Sequence, residues 1–233
     1  MNIYKKRSDC RLCGGKSMEL VVPLGKSPVS EKYLTKNNMK EKTIEVPLDL
    51  YYCNDCSHVQ LLDVVEPEYL WSDYTFKTAN NPKLIEHFND LSKRILFFSD
   101  LKKEGLVIDV GSNDGTLLRS FIELGYENVL GIEPSSEISK LAIDSGIRTM
   151  SRFFNEEVAE DILKQYGEAS IITANNVFAH IDDLGGIASA IMKLLNKGGV
   201  FIFEVSYLLD VVNKMLIGTV FHEHLSYHSV SAL

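Results

Sequence analysis

Long apolar runs and an excess of positive charge are both missing from this 233-residue chain. No stretch approaches the ~20 consecutive apolar residues that a membrane-spanning helix requires. Its 24 basic side chains are outnumbered by 32 acidic ones, giving a formal net charge of −8. This balance disfavours a broad contact surface for nucleic acid, although it does not exclude a local basic patch. The N-terminal MNIYKKRSDC has no apolar core after its lysines, so we expect no secretory signal and a cytoplasmic location.

Cysteine is also scarce, but its four occurrences form two identical pairs, Cys10-x-x-Cys13 and Cys53-x-x-Cys56. At this spacing one tight turn directs both sulfurs at a metal, and two such turns complete a tetrahedral zinc site. Two disulfides are the alternative, but they require an oxidising compartment. His58 is a further candidate ligand, disfavoured while four thiols are available. Four thiolates leave no open coordination position for substrate, so we expect a structural zinc.

The apolar pattern divides the chain near residues 65–80. It predicts a small zinc-binding β domain over 1–70, a linker and helix over 71–104, and a larger domain over 105–233. The helix is predicted to begin at Pro82, because proline is favoured at the first helical position. The larger domain alternates strands with helices, which predicts an α/β fold with a doubly wound, mostly parallel, Rossmann-like sheet.

In that domain we predict strands over 106–110, 128–132, 170–174 and 200–205, and helices over 116–124, 135–144, 155–167 and 183–196. Ligands of such sheets bind at the carboxyl ends of the strands. The polar motifs described next fall at these strand ends.

A glycine-bearing turn, Asp109-Val-Gly-Ser-Asn-Asp-Gly115, follows the first of these strands, and Glu133 follows the second. Gly111 and Gly115 allow the backbone to turn sharply and to approach a ligand closely. Glu133 is placed to accept hydrogen bonds from both hydroxyls of a ribose. A glycine turn alone is often a plain connector. Together with the distal carboxylate it predicts a nucleoside cofactor, either NAD or S-adenosylmethionine (SAM).

The turn favours SAM over NAD. Dinucleotide-binding turns read G-x-G-x-x-G and face a pyrophosphate, whereas here Asn113 occupies the middle glycine position and Asp114 follows it. A carboxylate at that place would repel a pyrophosphate, but it suits the sulfonium and the amino group of SAM.

Four motifs in order then resemble one family, the SAM-dependent sugar C-methyltransferases. They are the paired CxxC, VGSNDGTLL over 110–118, ANNVFAHI over 174–181, and FHEHLSY over 221–227. The resemblance implies an N-terminal zinc-binding domain, a central methyltransferase domain and a further C-terminal domain. It also implies C3-methylation of a 4-keto sugar on a dTDP carrier, with SAM as methyl donor.

Methylation at carbon requires a base that removes a proton next to a carbonyl. By resemblance, His224 is that base, Glu223 orients or tunes it, and His222 adjoins them. His180 would contact the ketone or a neighbouring hydroxyl, and Tyr74 would lie against the sugar. Alternatively, residues 222–224 form a solvated loop or an adventitious metal site, His180 caps a helix, and Tyr74 is a packing aromatic.

The expected SAM-binding residues come from the strand ends of the predicted sheet. They are Asp109, Gly111, Asn113, Asp114, Gly115, Glu133, Pro134, Phe153, Asn175 and Asn176. Phe153 and its neighbour Phe154 are candidates to sandwich the adenine, and a place in the core is the alternative for both. Asn175 and Asn176 would contact the cofactor's amino acid or the substrate.

The chain departs from the family pattern at two aromatic positions. Phe221 and Phe76 stand where family members often have tyrosine, which suggests an altered substrate or a different hydrogen-bond arrangement. The sequence also stops where the family continues, so we expect a missing C-terminal domain or a separate partner chain. Two other functions stay open: an inactive or partner-dependent SAM-binding fragment, and a zinc-ribbon RNA methyltransferase. The latter usually has Asn/Asp-Pro-Pro-aromatic where this chain reads Asn-Asn-Val-Phe over 175–178.

Overall fold

A computed structural model describes residues 3–30, 32, 36, 39, 43–71, 74–99 and 102–233. By internal packing they divide into two compact units. The cysteine unit contains the described residues of 1–72, 178–185 and 205–233, and the sheet unit contains those of 73–177 and 186–204. The linker predicted over 71–104 includes residues 72–73 and 100–101, which lie outside the described residues.

The strands in chain order are β1 (Tyr4–Lys6), β2 (Met18–Val22), β3 (Lys26–Pro28), β4 (Glu45–Pro47), β5 (Leu50–Cys53), β6 (Val59–Leu61), β7 (Asp63–Val65), β8 (Leu106–Val110), β9 (Val129–Ile132), β10 (Thr149–Met150), β11 (Ala169–Asn175), β12 (Leu195–Glu204) and β13 (Ser226–Tyr227). The α-helices are α1 (Pro67–Trp71), α2 (Pro82–Phe98), α3 (Thr116–Glu123), α4 (Ser136–Asp144), α5 (Glu156–Tyr166), α6 (Leu184–Leu194) and α7 (Leu208–Asn213). Short 3₁₀ helices span Thr78–Asn80, Phe178–His180 and Ile217–Thr219.

The sheet unit is a five-stranded parallel sheet in the order β10-β9-β8-β11-β12. The strand order reverses between β8 and β11, as in a doubly wound fold. All five residues of β8 are buried, and Val107 packs with Phe88 of α2 and Phe121 of α3 in one hydrophobic cluster. The predicted α/β Rossmann-like fold is therefore confirmed.

Helix caps explain where several elements begin and end. The Asn81 side chain accepts hydrogen bonds from the backbone N–H groups of Lys83 and Leu84, and Pro82 occupies the first position of α2. Asn155 caps α5 in the same way, and Gly167 closes that helix with φ +83°. These starts agree with the prediction, because capping depends on local sequence.

The last strand of the sheet is longer than predicted. It begins at Leu195 and not at residue 200, and it shortens the preceding helix accordingly. Leu195 pairs with Ala169, and after a register shift Val200 pairs with Ile171. The extra residues, which include Gly198 and Gly199, form an irregular start to the strand.

The cysteine unit contains a four-stranded sheet in the order β13-β6-β5-β2, together with the antiparallel pairs β1-β7 and β3-β4. This division differs from the predicted one, in which residues 105–233 form one domain. Tyr227 explains the difference: β13 pairs antiparallel with β6, and the Tyr227 side chain is buried with Leu50 and Leu61. Within the part of the chain that the structure describes, helices are too short or too polar to cross a membrane.

Candidate functional site

The four cysteines of the cysteine unit lie together in space. All four Sγ atoms are within 4.8 Å of one another. Cys10 Sγ lies 3.7 Å from Cys56 Sγ, and Cys13 Sγ lies 3.7 Å from Cys53 Sγ. Tetrahedral zinc with Zn–S bonds of about 2.3 Å requires S···S separations of about 3.8 Å, so the sulfurs fit this ion. They would hold it as a closed structural site.

His58, the alternative ligand, is used elsewhere. Its ring is fully buried, and Nε2 lies 3.2 Å from the Ser226 hydroxyl on β13. Burial lowers the His58 pKa to about 3, assisted by the nearby His228 and Arg11. His58 therefore belongs to the packing behind the cysteines and stays neutral.

In the sheet unit, backbone conformation and packing both require glycine in the turn over residues 109–115. Gly111, Asn113 and Gly115 all have left-handed backbones, with φ of +71°, +51° and +79°. A Cβ on Gly111 would lie 2.2 Å from Val177 Cγ2, and one on Gly115 would lie 2.9 Å from Ile147 Cγ1. Local packing and the left-handed backbone thus both require glycine at these two positions.

Asn113 and Asp114 hold the segment that precedes α2. Asn113 Oδ1 accepts from the Thr78 N–H at 2.9 Å, and its Nδ2 donates to the Phe76 carbonyl at 3.0 Å. Asp114 Oδ2 accepts from the Ala79 N–H at 2.8 Å, and Oδ1 accepts from the Thr116 hydroxyl. Both residues of the predicted SAM turn therefore have an architectural role that sequence patterns did not reveal.

Glu133 is a buried carboxylate at the end of β9. Its Oε2 accepts from the Asn113 N–H at 3.1 Å and its Oε1 from the Ser135 N–H at 2.9 Å. Burial raises its pKa and these two backbone hydrogen bonds lower it. Each oxygen retains a further lone pair, so the group can also accept from ribose hydroxyls. Pro134 follows it and is partly buried.

Asp109 lies one strand away, near the end of β8, and is 4% exposed. Burial raises its pKa to about 7, the Thr173 hydrogen bond at 2.7 Å lowers it, and Glu133 raises it further. Strand register aligns Asp109 with Thr173 and Asn175 with Glu204, so these residues follow one edge of the sheet.

The remaining predicted cofactor residues differ in exposure. Phe153 is 43% exposed, so it is available to a ligand and is not a core aromatic, whereas Phe154 is partly buried. Asn175 is partly buried at the end of β11. Asn176 is exposed with φ +55°, and its N–H donates to the Glu204 carbonyl at 2.7 Å.

In the cysteine unit, His224 is held by its backbone neighbours. Its Nδ1 lies 2.7 Å from the Thr219 carbonyl oxygen, which can only accept, so Nδ1 carries the proton and donates. The lone pair of the neutral ring is then on Nε2, the form that a general base needs. Burial lowers the His224 pKa, while the hydrogen bond to Thr219 raises it.

His224 is also one member of an aromatic stack. Its ring centroid lies 3.9 Å from that of Phe221 and 5.1 Å from that of His180, with an interplanar angle of 17° to His180. Trp71 stacks on the His180 imidazole, with the two ring centroids 5.1 Å apart. Burial lowers the His180 pKa to about 3, with a further lowering from His224, so His180 is neutral.

The other residues of this motif have separate surroundings. His222 is fully buried and its Nε2 donates to the Val46 carbonyl at 3.0 Å. Glu223 is 6% exposed and accepts from the Ser30 hydroxyl at 3.4 Å. The solvated-loop alternative is therefore wrong. His224 donates its orienting hydrogen bond to the Thr219 carbonyl. That Glu223 orients or tunes this base stays a prediction. Tyr74, in the sheet unit, has its ring 6.5 Å from that of Phe76.

Comparisons with known proteins agree with both halves of this description. Residues 10–71 match a family model described as a zinc binding domain, and residues 84–233 match one described as a methyltransferase domain. The second match covers more than half of the chain. The chain belongs to the methyltransferase domain family. Both matches agree with the cofactors predicted from sequence, SAM and structural zinc.

Along its whole length this methyltransferase is similar to a curated protein, the C-methyltransferase NovU of Streptomyces niveus, with 30% identity over 232 residues. These residues are 100% of this chain and 55% of NovU, so the chain spans about half the length of that relative.

Solved structures are similar at lower identity. A SAM-dependent methyltransferase from Clostridium acetobutylicum aligns with 17% identity and a TM-score of 0.45, covering 63% of this chain and 57% of that one. The magnesium protoporphyrin IX methyltransferase ChlM from Synechocystis aligns with 14% identity and a TM-score of 0.46, covering 71% and 77%.

Sequence patterns missed three residues of this methyltransferase. Thr219 acts through a backbone carbonyl, which has no sequence signal. Thr173 became visible only when strand register placed it beside Asp109. Arg11 had a usable signal, because it is the basic residue between two metal-ligating cysteines.

Proposed function

We propose that the chain is a SAM-dependent C-methyltransferase of a nucleotide-linked keto-deoxysugar, with dTDP as the expected carrier. The observation that carries this proposal is the state of His224, a half-buried neutral imidazole whose Nδ1 donates to the Thr219 carbonyl. Methylation at carbon needs such a base, because a proton must first leave the carbon. The methyltransferase family and the similarity to NovU support the same conclusion.

In the proposed reaction the C–H bond next to the ketone breaks and its proton moves to Nε2 of His224. The electron pair passes to the ketone oxygen, which becomes an enolate. SAM supplies a methyl group from its sulfonium. The new C–C bond forms as the S–CH₃ bond breaks, and the ketone is restored. Thr219 keeps the imidazole in the required tautomer, and His180 and Phe221 fix the plane of its ring.

We assign SAM to the carboxyl edge of the sheet unit. Glu133 would accept from the ribose hydroxyls, Phe153 would cover the adenine, and Asp109 with Asn175 would face the amino-acid end. Gly111 and Gly115 keep the turn open, while Asn113 and Asp114 act by holding residues 76–79. Pro134 and Asn176 adjoin this set. His180 and Tyr74 stay candidates for sugar contacts, and buried His222 is assigned a structural role.

Solvent exchange tests the base directly. In D₂O without SAM, the chain should exchange the hydrogen next to the ketone of a dTDP-linked 4-keto-6-deoxyhexose, followed by proton NMR. His224→Gln should slow this exchange by about 10²–10⁴-fold, the usual contribution of a general base. SAM affinity, measured by calorimetry, should stay unchanged. The control is His87→Gln, an exposed histidine of the sheet unit, which should exchange as the parent does.

Calorimetry separates the other functions. Binding of SAM and dTDP supports the sugar methyltransferase, whereas SAM binding without dTDP binding supports a fragment that depends on a partner. Binding of RNA without dTDP would contradict the proposal; the net charge of −8 makes RNA a poor candidate. Equal exchange rates for His224→Gln and the parent chain would contradict the role of the base.

A further inference from the structure

Arg11 is a buried arginine inside the first cysteine pair. It stands between Cys10 and Cys13 and is only 5% exposed. Arginine is seldom buried to this extent unless its guanidinium is paired. Here the guanidinium NH1 donates to the carbonyl of Leu225, which directly follows His224.

The segment after His224 is anchored to both cysteine pairs. The Leu225 carbonyl also accepts from the Leu61 N–H at 3.0 Å, and Ser226 pairs with Gln60 across β13 and β6. Gln60 Oε1 in turn accepts from the Arg11 N–H at 3.1 Å. The first cysteine pair is therefore linked to residues 225–226 through Arg11. The second pair is linked to them through β6, which follows Cys56 in the chain.

Arg11 differs from the other cations beside it. Asp182 lies 3.6 Å from the Arg11 guanidinium, 2.9 Å from that of Arg7 and 3.1 Å from the Lys5 ammonium. Arg7 and Lys5 form ion pairs with this carboxylate and are more exposed than Arg11. Among the three, the contact to the carbonyl after His224 belongs to Arg11.

We propose that Arg11 is a positioning residue, which couples the order of the metal-binding cysteines to the placement of His224. A metal held by Cys10 and Cys13 fixes the backbone of Arg11, and the guanidinium fixes Leu225. This assigns a purpose to a zinc site that has no open coordination position: it stabilises the loop that carries the base. The inference rests on the proposed function only in naming His224 as a base. The coupling between Arg11 and the loop of His224 is a property of the cysteine unit itself.

Amide hydrogen exchange of the zinc-loaded chain tests the coupling. The His224 N–H donates to the Phe221 carbonyl at 3.0 Å and reports on the loop. Arg11→Met should raise the exchange rate of that amide by about 10- to 100-fold, the effect of losing a hydrogen bond from a charged group. Zinc content should stay at one ion per chain. The matched control, Arg7→Met, also removes one cation beside Asp182 and should change the rate by less than about twofold.

An unchanged His224 amide in zinc-loaded Arg11→Met would overturn the inference, as would an equal effect of Arg7→Met. If Arg11→Met does not fold, Arg11→Lys keeps the charge and offers a single ammonium. It should retain zinc and still raise the exchange rate, and an unchanged rate would overturn the inference. If the Arg11 variants behave as expected while His224→Gln leaves solvent exchange intact, the coupling stands and the proposed function fails.

Discussion

At the scale of single residues, burial sets the protonation of the groups that matter most. His224 and His180 are kept neutral by removal from water, and Asp109 is pushed in the same direction, toward its neutral acid. Desolvation penalises the charged form of either type of group. His224 and His180 are therefore uncharged at neutral pH, whereas Asp109, with a pKa of about 7, is then only partly protonated. The uncharged His224 ring can accept a proton.

The pH dependence of the proposed proton transfer follows from His224. Its pKa lies below the ordinary value of about 6.5 because burial outweighs the hydrogen bond to Thr219. The rate of solvent exchange should therefore hold from pH 8 to below pH 6.5 and decline only at more acid pH. NMR-monitored exchange across pH 5–8 measures this. A decline centred above pH 7 would contradict the assignment of His224.

The raised pKa of Asp109 leads to a second prediction, which concerns the stability of Asp109→Asn. In the folded unit its pKa is raised to about 7, above the unfolded value of about 3.9, so ionisation costs stability as pH rises between the two. The unfolding free energy of Asp109→Asn minus that of the parent should therefore be more positive at pH 8 than at pH 4. Urea unfolding at both pH values measures the difference. A difference that is independent of pH would show that Asp109 ionises freely.

At the scale of elements, the turn after β8 is built around two constraints on Gly111. An L-residue there must adopt φ near +71°, and its Cβ would collide with Val177. The glycine turn is thus tied to the end of β11, and neither β8 nor the turn could have shown this alone.

Gly111→Ala should lower the free energy of unfolding by roughly 1–2 kcal/mol for the left-handed backbone and by a further 1–3 kcal/mol or so for overpacking against Val177. Adding Val177→Ala should recover the packing part but not the backbone part. Urea unfolding of the single and double variants measures both. No recovery in the double variant would show that the clash relaxes at no cost.

At the scale of the whole molecule, the cysteine unit contains most of the histidine residues. Of the six histidines in the chain, five lie in this unit and have a pKa lowered mainly by burial: His58, His180, His222, His224 and His228. In an unfolded chain each would titrate near pH 6.5.

Below about pH 6.5 the unfolded state therefore binds more protons than the folded unit, so the free energy of unfolding should fall as pH decreases. The slope is at most about 1.4 kcal/mol per pH unit for each histidine. Fluorescence of Trp71, the one tryptophan of the chain, follows this unit during urea unfolding. The loss should begin between pH 6.5 and 5.5 with zinc still bound, and a flat profile there would contradict it.

Metal removal tests the same unit independently at pH 7.5. Structural zinc contributes on the order of 10 kcal/mol to the folding of small domains. A chelator, or Cys53→Ser, should therefore release the ion and unfold the sheet that contains β5, with a shift of Trp71 emission. Zinc added back should restore the emission of the chelated chain but not of Cys53→Ser. Persistence of native emission without metal would contradict a structural role for zinc.

Sequence alone determined the features that depend on neighbouring residues. Capping residues located the starts of α2 and α5, the CxxC spacing identified the metal site, and alternating strands and helices identified the parallel sheet, because each is a local rule of backbone and ligand geometry. Only the tertiary structure decided contacts between distant segments. It placed residues 226–227 in the sheet of the cysteines, gave His224 its partner Thr219, and joined Arg11 to Leu225. Such contacts depend on strand pairing and on the partners available to buried polar groups. Neither can be predicted from the spacing of residues along the chain.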